Sequence, residues 1–417
     1  MRYFRSISRF VINLLITFLP VFSTAQMATL PDFLDQAKMN NPQLKDFVNQ
    51  QEIAGYENAK IHATYRQPSV DIRSQWMQGP IIKGVGYDEA ITNGALYSAI
   101  AGVSYPLFTR SFLETEQKQQ TLLQEKAKWL YEASWRQLQM AVSDQYITCF
   151  FDQMYIQNAI ELRETLAAQL KMAETLARSG IMKASDVQLL KIETGNQKLI
   201  LADLNAQLLR DLRDLYSLCG ITDTARVSLS EPQIRLSEKP GEASRFEEQF
   251  YIDSLLAQNQ LDRFNLKYKP QVSAFADAGL NAVTLQYPQK NLGVSFGINF
   301  SLNIFDGHQK QLTRAQTHLE QQTTAGYQLY FNQQKLQLLD KYIGQIEWVD
   351  NKISIIQQEV VDYNNLLELY KKELQRGDLS VNDYLVTFRN YVQFNQQLIE
   401  QQKQKYLSIN AYNYWNW

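Results

Sequence analysis

The feature that most constrains this 417-residue chain is a repeat that keeps its register. Ser104 and Phe108 stand 197 residues before Ser301 and Phe305, and Gly180 and Asp186 stand 197 before Gly377 and Asp383. Each half reads in the same order: a helix, two alternating stretches, a long run of helix formers, a glycine and a second long helix. Long helical stretches of equal length, with no net insertion between them, point to duplication of one helix–hairpin–helix–helix unit. The predicted organisation is residues 1–25 as a signal peptide, 26–220 as a first repeat, 221–249 as a linker and 250–417 as a second repeat.

The clearest strand is residues 291–305, NLGVSFGINFSLNIF. Leu292, Val294, Phe296, Ile298, Phe300, Leu302 and Ile304 alternate with Asn, Gly and Ser, so one face is apolar and the other tolerates water. Thirteen alternating residues would extend roughly 43 Å, longer than most strands of globular proteins. A transmembrane strand needs about 9–11 residues with this alternation. A long strand of a soluble sandwich would show the same pattern, so the flanking segments have to decide.

Residues 68–79 alternate again, with Val70, Ile72 and Trp76 opposite Asp71, Arg73 and Gln75, and a Gly- and Pro-containing loop leads to a partner at 95–108. QVSAFADAGLNAV, after Pro270, begins the second pair. Residues 109–178 contain neither glycine nor proline and are rich in Gln, Glu, Lys and Leu, which predicts a helix of about 100 Å. Gly180 ends it, and a further helix runs over 185–219 with the three-and-four spacing of helix packing. The second half predicts helices at 250–266, 306–375 and from 381 to the C-terminus, and the first half opens with a helix over 30–64 broken at Asn41-Pro42.

The N-terminus carries Arg2, Arg5 and Arg9, then FVINLLITFLPVF, then Ser23-Thr24-Ala25. This reads as an export signal cleaved after about Ala25. No later run reaches 18 consecutive apolar residues, so any membrane crossing must be made by strands. With 41 basic and 43 acidic residues the chain is a poor candidate for nucleic-acid binding. Cys149 and Cys219 are not expected to pair: in a hairpin turning near Gly180 they are offset by about 12 Å, beyond the roughly 7 Å that a disulfide spans.

The segments around Gly180 (LARSGIMKASDVQLLKIETGNQ) and Gly377 (LQRGDLSVNDYLVTFRNYVQFNQQ) resemble the two helical-hairpin tips of the outer membrane efflux protein (TolC-like) family. There a tip glycine is followed six residues on by Asp and then by a long Gln- and Leu-rich helix. The resemblance covers the whole mature chain. It implies a mixed, mainly α fold: a trimeric α-helical tunnel with a shared twelve-stranded transmembrane β-barrel, four strands per chain. The linker at 221–249 would then be an equatorial segment. It also implies a passive outer-membrane exit duct of a tripartite efflux or type I secretion system, working with a periplasmic adaptor and an inner-membrane pump. Physical reasoning agrees on one point: four strands cannot close a barrel and lipid does not tolerate open edges, so several chains would have to share one.

The resemblance assigns adaptor-contacting tips to Ser179, Gly180 and Ile181 and to Arg376, Gly377, Asp378 and Leu379, and a periplasmic entrance constriction to Asp186 and Asp383. On local chemistry alone the glycines are helix C′ residues and the aspartates first-turn carboxylates, with Ser380 and Asp383 forming a capping box. Some members latch the tip with tyrosine and arginine three before and two after the second glycine; here those positions are Leu374 and Leu379. His62, His308 and His318 form no metal-ligand spacing, and no Walker loop, nucleophile elbow or HExxH occurs, so neither cofactor nor enzyme activity is expected. Alternatives are a periplasmic coiled-coil scaffold or adaptor, or a surface fibre. The former should lack two strand pairs with lipid-like faces, and the latter should show many short repeats.

Overall fold

The structure, a computed structural model, describes residues 27–80, 82–86, 95–223, 225, 227–238 and 244–417. The predicted signal peptide lies outside the described residues, as does much of the loop at 79–94.

The elements follow the duplicated order. α1 (Leu30–Asn40) and α2 (Pro42–Arg66) meet at Asn41, whose Oδ1 accepts the Leu44 N–H at 3.0 Å while Pro42 takes the first helical turn. β1 (Ser69–Gln78) and β2 (Ala95–Leu107) precede α3 (Arg110–Arg178) and α4 (Ala184–Cys219). The second half gives α5 (Glu248–Asn265), β3 (Gln271–Ala282), β4 (Leu292–Ser301), α6 (Gln309–Arg376) and α7 (Val381–Trp415). α3 and α6 are 69 and 68 residues long, a near-equality that follows from the absence of any net insertion between the repeats. None of the described helices is long and apolar enough to cross a membrane.

Contacts divide the chain into two compact units that cut across the repeats, each drawing segments from both halves. Of the described residues, one comprises those within 27–36, 145–233 and 356–403; the other comprises those within 37–144, 234–355 and 404–417. The first contains both helix-ending glycine turns and a buried cluster that includes Leu166, Leu190, Leu374, Tyr384 and Phe388. Elsewhere in this unit Tyr146 is fully buried, its hydroxyl 2.7 Å from Ser230 O and 3.0 Å from Ala28 O, with Phe33 packed edge-on to its ring.

The second unit holds the sheet. It is antiparallel throughout, in the order β1-β2-β3-β4, so β1 and β4 each keep one unpaired edge. Rows such as Val70–Val103–Ala276–Phe296 and Ile72–Ala101–Ala278–Val294 run straight across one face. The opposite face carries rows such as Asp71–Gly102–Asp277–Ser295. Away from the sheet, Phe246 packs against Phe331, Tyr414 and Trp417, and Ser244 donates to the Trp417 carbonyl at 2.9 Å.

Two expected boundaries move. The strand predicted to reach Phe305 ends at Ser301, because Ser301 pairs with Gln271, the first residue of β3, and Pro270 before it has no N–H to continue the ladder. Leu302 and Ile304 therefore lie beyond β4, both exposed. The helix predicted from 306 begins at Gln309, because Gly307 and His308 both adopt left-handed backbone, with φ 69° and 68°. No disulfide joins Cys149 and Cys219, which are both buried.

Candidate functional site

Two regions stand out by their chemistry. The first is the apolar face of the sheet. In β4 Leu292, Val294, Phe296, Ile298 and Phe300 are all exposed, Phe296 at 86%, and in β1 so are Val70, Ile72 and Trp76. A soluble fold would bury such a face against a second layer; here nothing among the described residues covers it. The other face is polar and internally paired. Arg73 reaches Asp71 at 2.9 Å and Asp277 at 3.1 Å, bridging from β1 over β2 to β3. Gly102 makes room for this: a Cβ there would stand 2.6 Å from Asp277 Oδ1 and 2.8 Å from Arg73 Nη2.

The second region is the pair of helix-ending turns. Gly180 and Gly377 are left-handed, with φ 77° and 80°. Each closes the same double bond pattern: Gly180 N–H to Ala177 O and Ile181 N–H to Leu176 O, matched by Gly377 N–H to Leu374 O and Asp378 N–H to Glu373 O. These are Schellman caps, in which glycine adopts the left-handed position without the Cβ penalty. The turns adjoin, since a Cβ on Gly377 would lie 3.4 Å from Ile181 Cγ2. Ile181, Ser179, Arg376 and Asp378 are exposed, while Leu379 packs against the apolar cluster beneath.

The two aspartates differ in their surroundings. Ser380 Oγ accepts the Asp383 N–H at 3.1 Å and donates to Asp383 Oδ2 at 2.7 Å, so the forward half of the expected capping box forms while the acid returns to the serine hydroxyl and not to its backbone N–H. At α4 the cap residue is Lys183, without a side-chain cap bond, so Asp186 has first-turn placement only. Below the turns, Arg389 donates through Nε and Nη2 to Glu193 Oε2, at 3.1 and 2.6 Å, with Glu193 only 4% exposed.

No family profile matches this sequence, and neither does any curated protein. Solved structures do match. The outer membrane protein VceC from Vibrio cholerae superposes with a TM-score of 0.73 at 14% identity, covering 93% of this chain and 96% of that one. The CmeC outer membrane channel of Campylobacter jejuni gives 0.71 at 14% identity, covering 93% and 85%. The MtrE outer membrane channel of Neisseria gonorrhoeae, in its open state, gives 0.68 at 15% identity, covering 93% and 88%. The fold is TolC-like.

The TolC-like fold accounts for the pairing of one four-stranded sheet with four long helices in this chain, and two of the structures it resembles, CmeC and MtrE, are named as channels. Sequence reasoning located the two turns and both aspartates. At the two lock positions the structure puts carbon into a core: Leu374 is 1% exposed among Leu190, Val381, Tyr384 and Phe388. It missed the Arg389–Glu193 pair. The available signal was depth: Glu193 is seven residues past Asp186 and Arg389 six past Asp383, on matching helices of the two repeats.

A pair of neighbouring acids, one of them buried, was also missed. Asp152 of α3 is 1% exposed, accepts from Gln207 Nε2 at 3.0 Å through Oδ1, and has a buried Oδ2 beside the Asp211 carboxyl. Burial, then the neighbouring Asp211, push the Asp152 carboxyl up to about 7, with Lys403 opposing. A raised carboxyl means the folded chain holds a proton that the unfolded chain releases near 4, so stability should fall as pH rises from about 4 through 7. Asp152→Asn, which supplies an N–H toward Asp211, is expected to flatten that dependence and raise the melting temperature at pH 8. Thermal melts of both proteins at pH 5.5 and 8 would show it, and parallel slopes would refute it.

Proposed function

We propose that the protein is an outer-membrane exit duct, assembled as a homotrimer, that passively conducts substrates supplied by an inner-membrane pump through a periplasmic adaptor. The observation that carries this reading is the four-stranded sheet: it has one uncovered apolar face, one polar face, two unpaired edges, and it is continuous with helices of 69 and 68 residues. Three copies, each joining β4 to the β1 of the next, would remove every edge and turn the apolar rows to lipid. The Arg73–Asp71–Asp277 face would then line water. Leu292, Val294, Phe296, Ile298 and Phe300 would meet acyl chains, with Leu302 and Ile304 continuing the row past the strand. Catalysis has no part in this role.

The turns at Ser179–Ile181 and Arg376–Leu379, exposed except at Leu379, would dock the adaptor, and Asp186 and Asp383, repeated round a three-fold axis, would form an acidic constriction that favours cations. The Ser380 hydroxyl, which caps α7, holds the Asp383 carboxylate without excluding that use. The test is planar-bilayer conductance of the detergent-extracted protein beside Asp186→Ala/Asp383→Ala. A stable, cation-preferring channel whose preference drops in the double variant supports duct and entrance together. Unchanged selectivity leaves the aspartates as first-turn helix carboxylates. Failure to insert, with the protein in the soluble periplasmic fraction, rejects the duct in favour of a scaffold.

A further inference from the structure

Two helices attached to the outer strands of the sheet are apolar on two opposite sides. α2 leads into β1, and α6 follows β4; α2, the sheet and α6 as far as Ile355 belong to the same unit. On α2 the side packed within the chain carries Leu44, Phe47 and Ala54, all buried. Tyr56, 69% exposed, stands about 180° round the helix from Phe47, with Val48 and Ile53 exposed on its two flanks. On α6 the packed side carries Thr317, Leu339 and Ile346. Leu312, Leu319 and Tyr330 lie within about 20° of a single line on the far side, all of them exposed, Leu319 at 62%. Tyr327, also exposed, widens that stripe. A surface helix of a lone chain needs one apolar stripe; a second stripe opposite the first asks for a second neighbour.

The sheet indicates which neighbour. Its four strands alternate in direction, so β4 of one chain and β1 of the next, joined as proposed above, would be antiparallel. The end of β4 would lie beside the start of that β1. There α6 leaves the sheet and the next chain's α2 arrives at it, so these two helices would run antiparallel, side by side. Counted from the sheet, their stripes match. Ala63, Tyr56 and Val48 stand 3, 10 and 18 residues before Arg66, the last of α2. Leu312, Leu319 and Tyr327 stand 3, 10 and 18 after Gln309, the first of α6. With the helix ends level, equal rise per residue brings each pair to the same height. We propose that α6 of one chain and α2 of the next copy form an apolar seam beside the barrel. Tyr56 packs on Leu319, with Val48 against Tyr327 and Ala63 against Leu312. The seam rests on the homotrimer reading and goes beyond strand closure, since it gives the helices an intersubunit joint of their own.

The test is oxidative cross-linking of the full-length protein in isolated membranes, with the buried Cys149 and Cys219 left in place and the unsubstituted chain as background. Tyr56→Cys with Leu319→Cys in one chain should give a ladder of covalent dimers and trimers on a non-reducing gel. Each substitution alone should give none, because a head-to-tail interface sets different residues face to face. His318→Cys in place of Leu319→Cys is exposed but about 100° round α6, and should lose the ladder. Leu319→Lys should weaken the trimer and Tyr56→Glu beside it should restore it, a rescue that a local folding defect would not give. Cross-linking by Leu319→Cys alone would mean that α6 meets α6, and overturns the seam. A ladder only with Leu312→Cys or Tyr330→Cys overturns the pairing of Tyr56 with Leu319. No ladder with any of the three, in a protein that native mass spectrometry shows to be a trimer, overturns the seam and leaves strand closure standing. A monomer in the same measurement rejects the homotrimer reading and the seam with it.

Discussion

Phe296→Arg is expected to abolish recovery of the protein from the outer membrane, while Ser295→Arg, one residue away, leaves it nearly intact. Phe296 sits mid-strand in β4 on the uncovered apolar face, in a row with Val70, Val103 and Ala276. An arginine on the lipid side of a barrel costs about 2–4 kcal/mol at the bilayer midplane, and a symmetric trimer would incur that cost three times. Ser295 points to the other face, in register with Asp277, where a guanidinium meets water and a carboxylate. Membrane fractionation of both variants decides the matter. Equal losses would mean that the face read as lipid-exposed is not, and equal tolerance would mean that this sheet never enters a bilayer.

The second large effect is expected at Phe388→Ala. This side chain is fully buried at the centre of the cluster that α3, α4, α6 and α7 build behind the glycine turns, stacked on Tyr384 with ring centroids 6.4 Å apart. Truncating a buried phenylalanine costs about 3–5 kcal/mol, because the cavity collapses only in part. The loss should be local, so the readout is hydrogen exchange. Amides of α4 and α7 next to the turns should exchange markedly faster, and those of the sheet should not change. Uniform acceleration across both units would contradict a self-contained tip core.

The elements were legible because each is written in a periodicity that one sequence can show. Period-two alternation marked the four strands, and freedom from glycine and proline marked α3. What stayed hidden depends on a partner chosen elsewhere in the chain. The end of β4 is set by Pro270, thirty-one residues upstream of Ser301, and no alternation in β4 itself reports it. The start of α6 waits for two left-handed residues, one of them a histidine, which local propensity does not foresee. Glu193 and Arg389, like Asp152 and Asp211, carry no mark of pairing in their own neighbourhoods; helix packing brings them together. The turns were the readable part of the candidate site, since a left-handed cap selects glycine whatever the partner.

The two open edges of the sheet bear on biogenesis. A lone protomer whose strands have already paired in water offers two ladders of unmet N–H and C=O groups to any passing strand, beside a broad greasy surface. Such a chain has no safe solitary folded form. Its helices can mature early, from contacts they make within their own unit, but its strands are best left unformed until sister chains and a bilayer are both at hand. In the proposed trimer, closure, oligomerisation and insertion would be a single event, and the rate of making finished barrels would climb steeply with the supply of new chains.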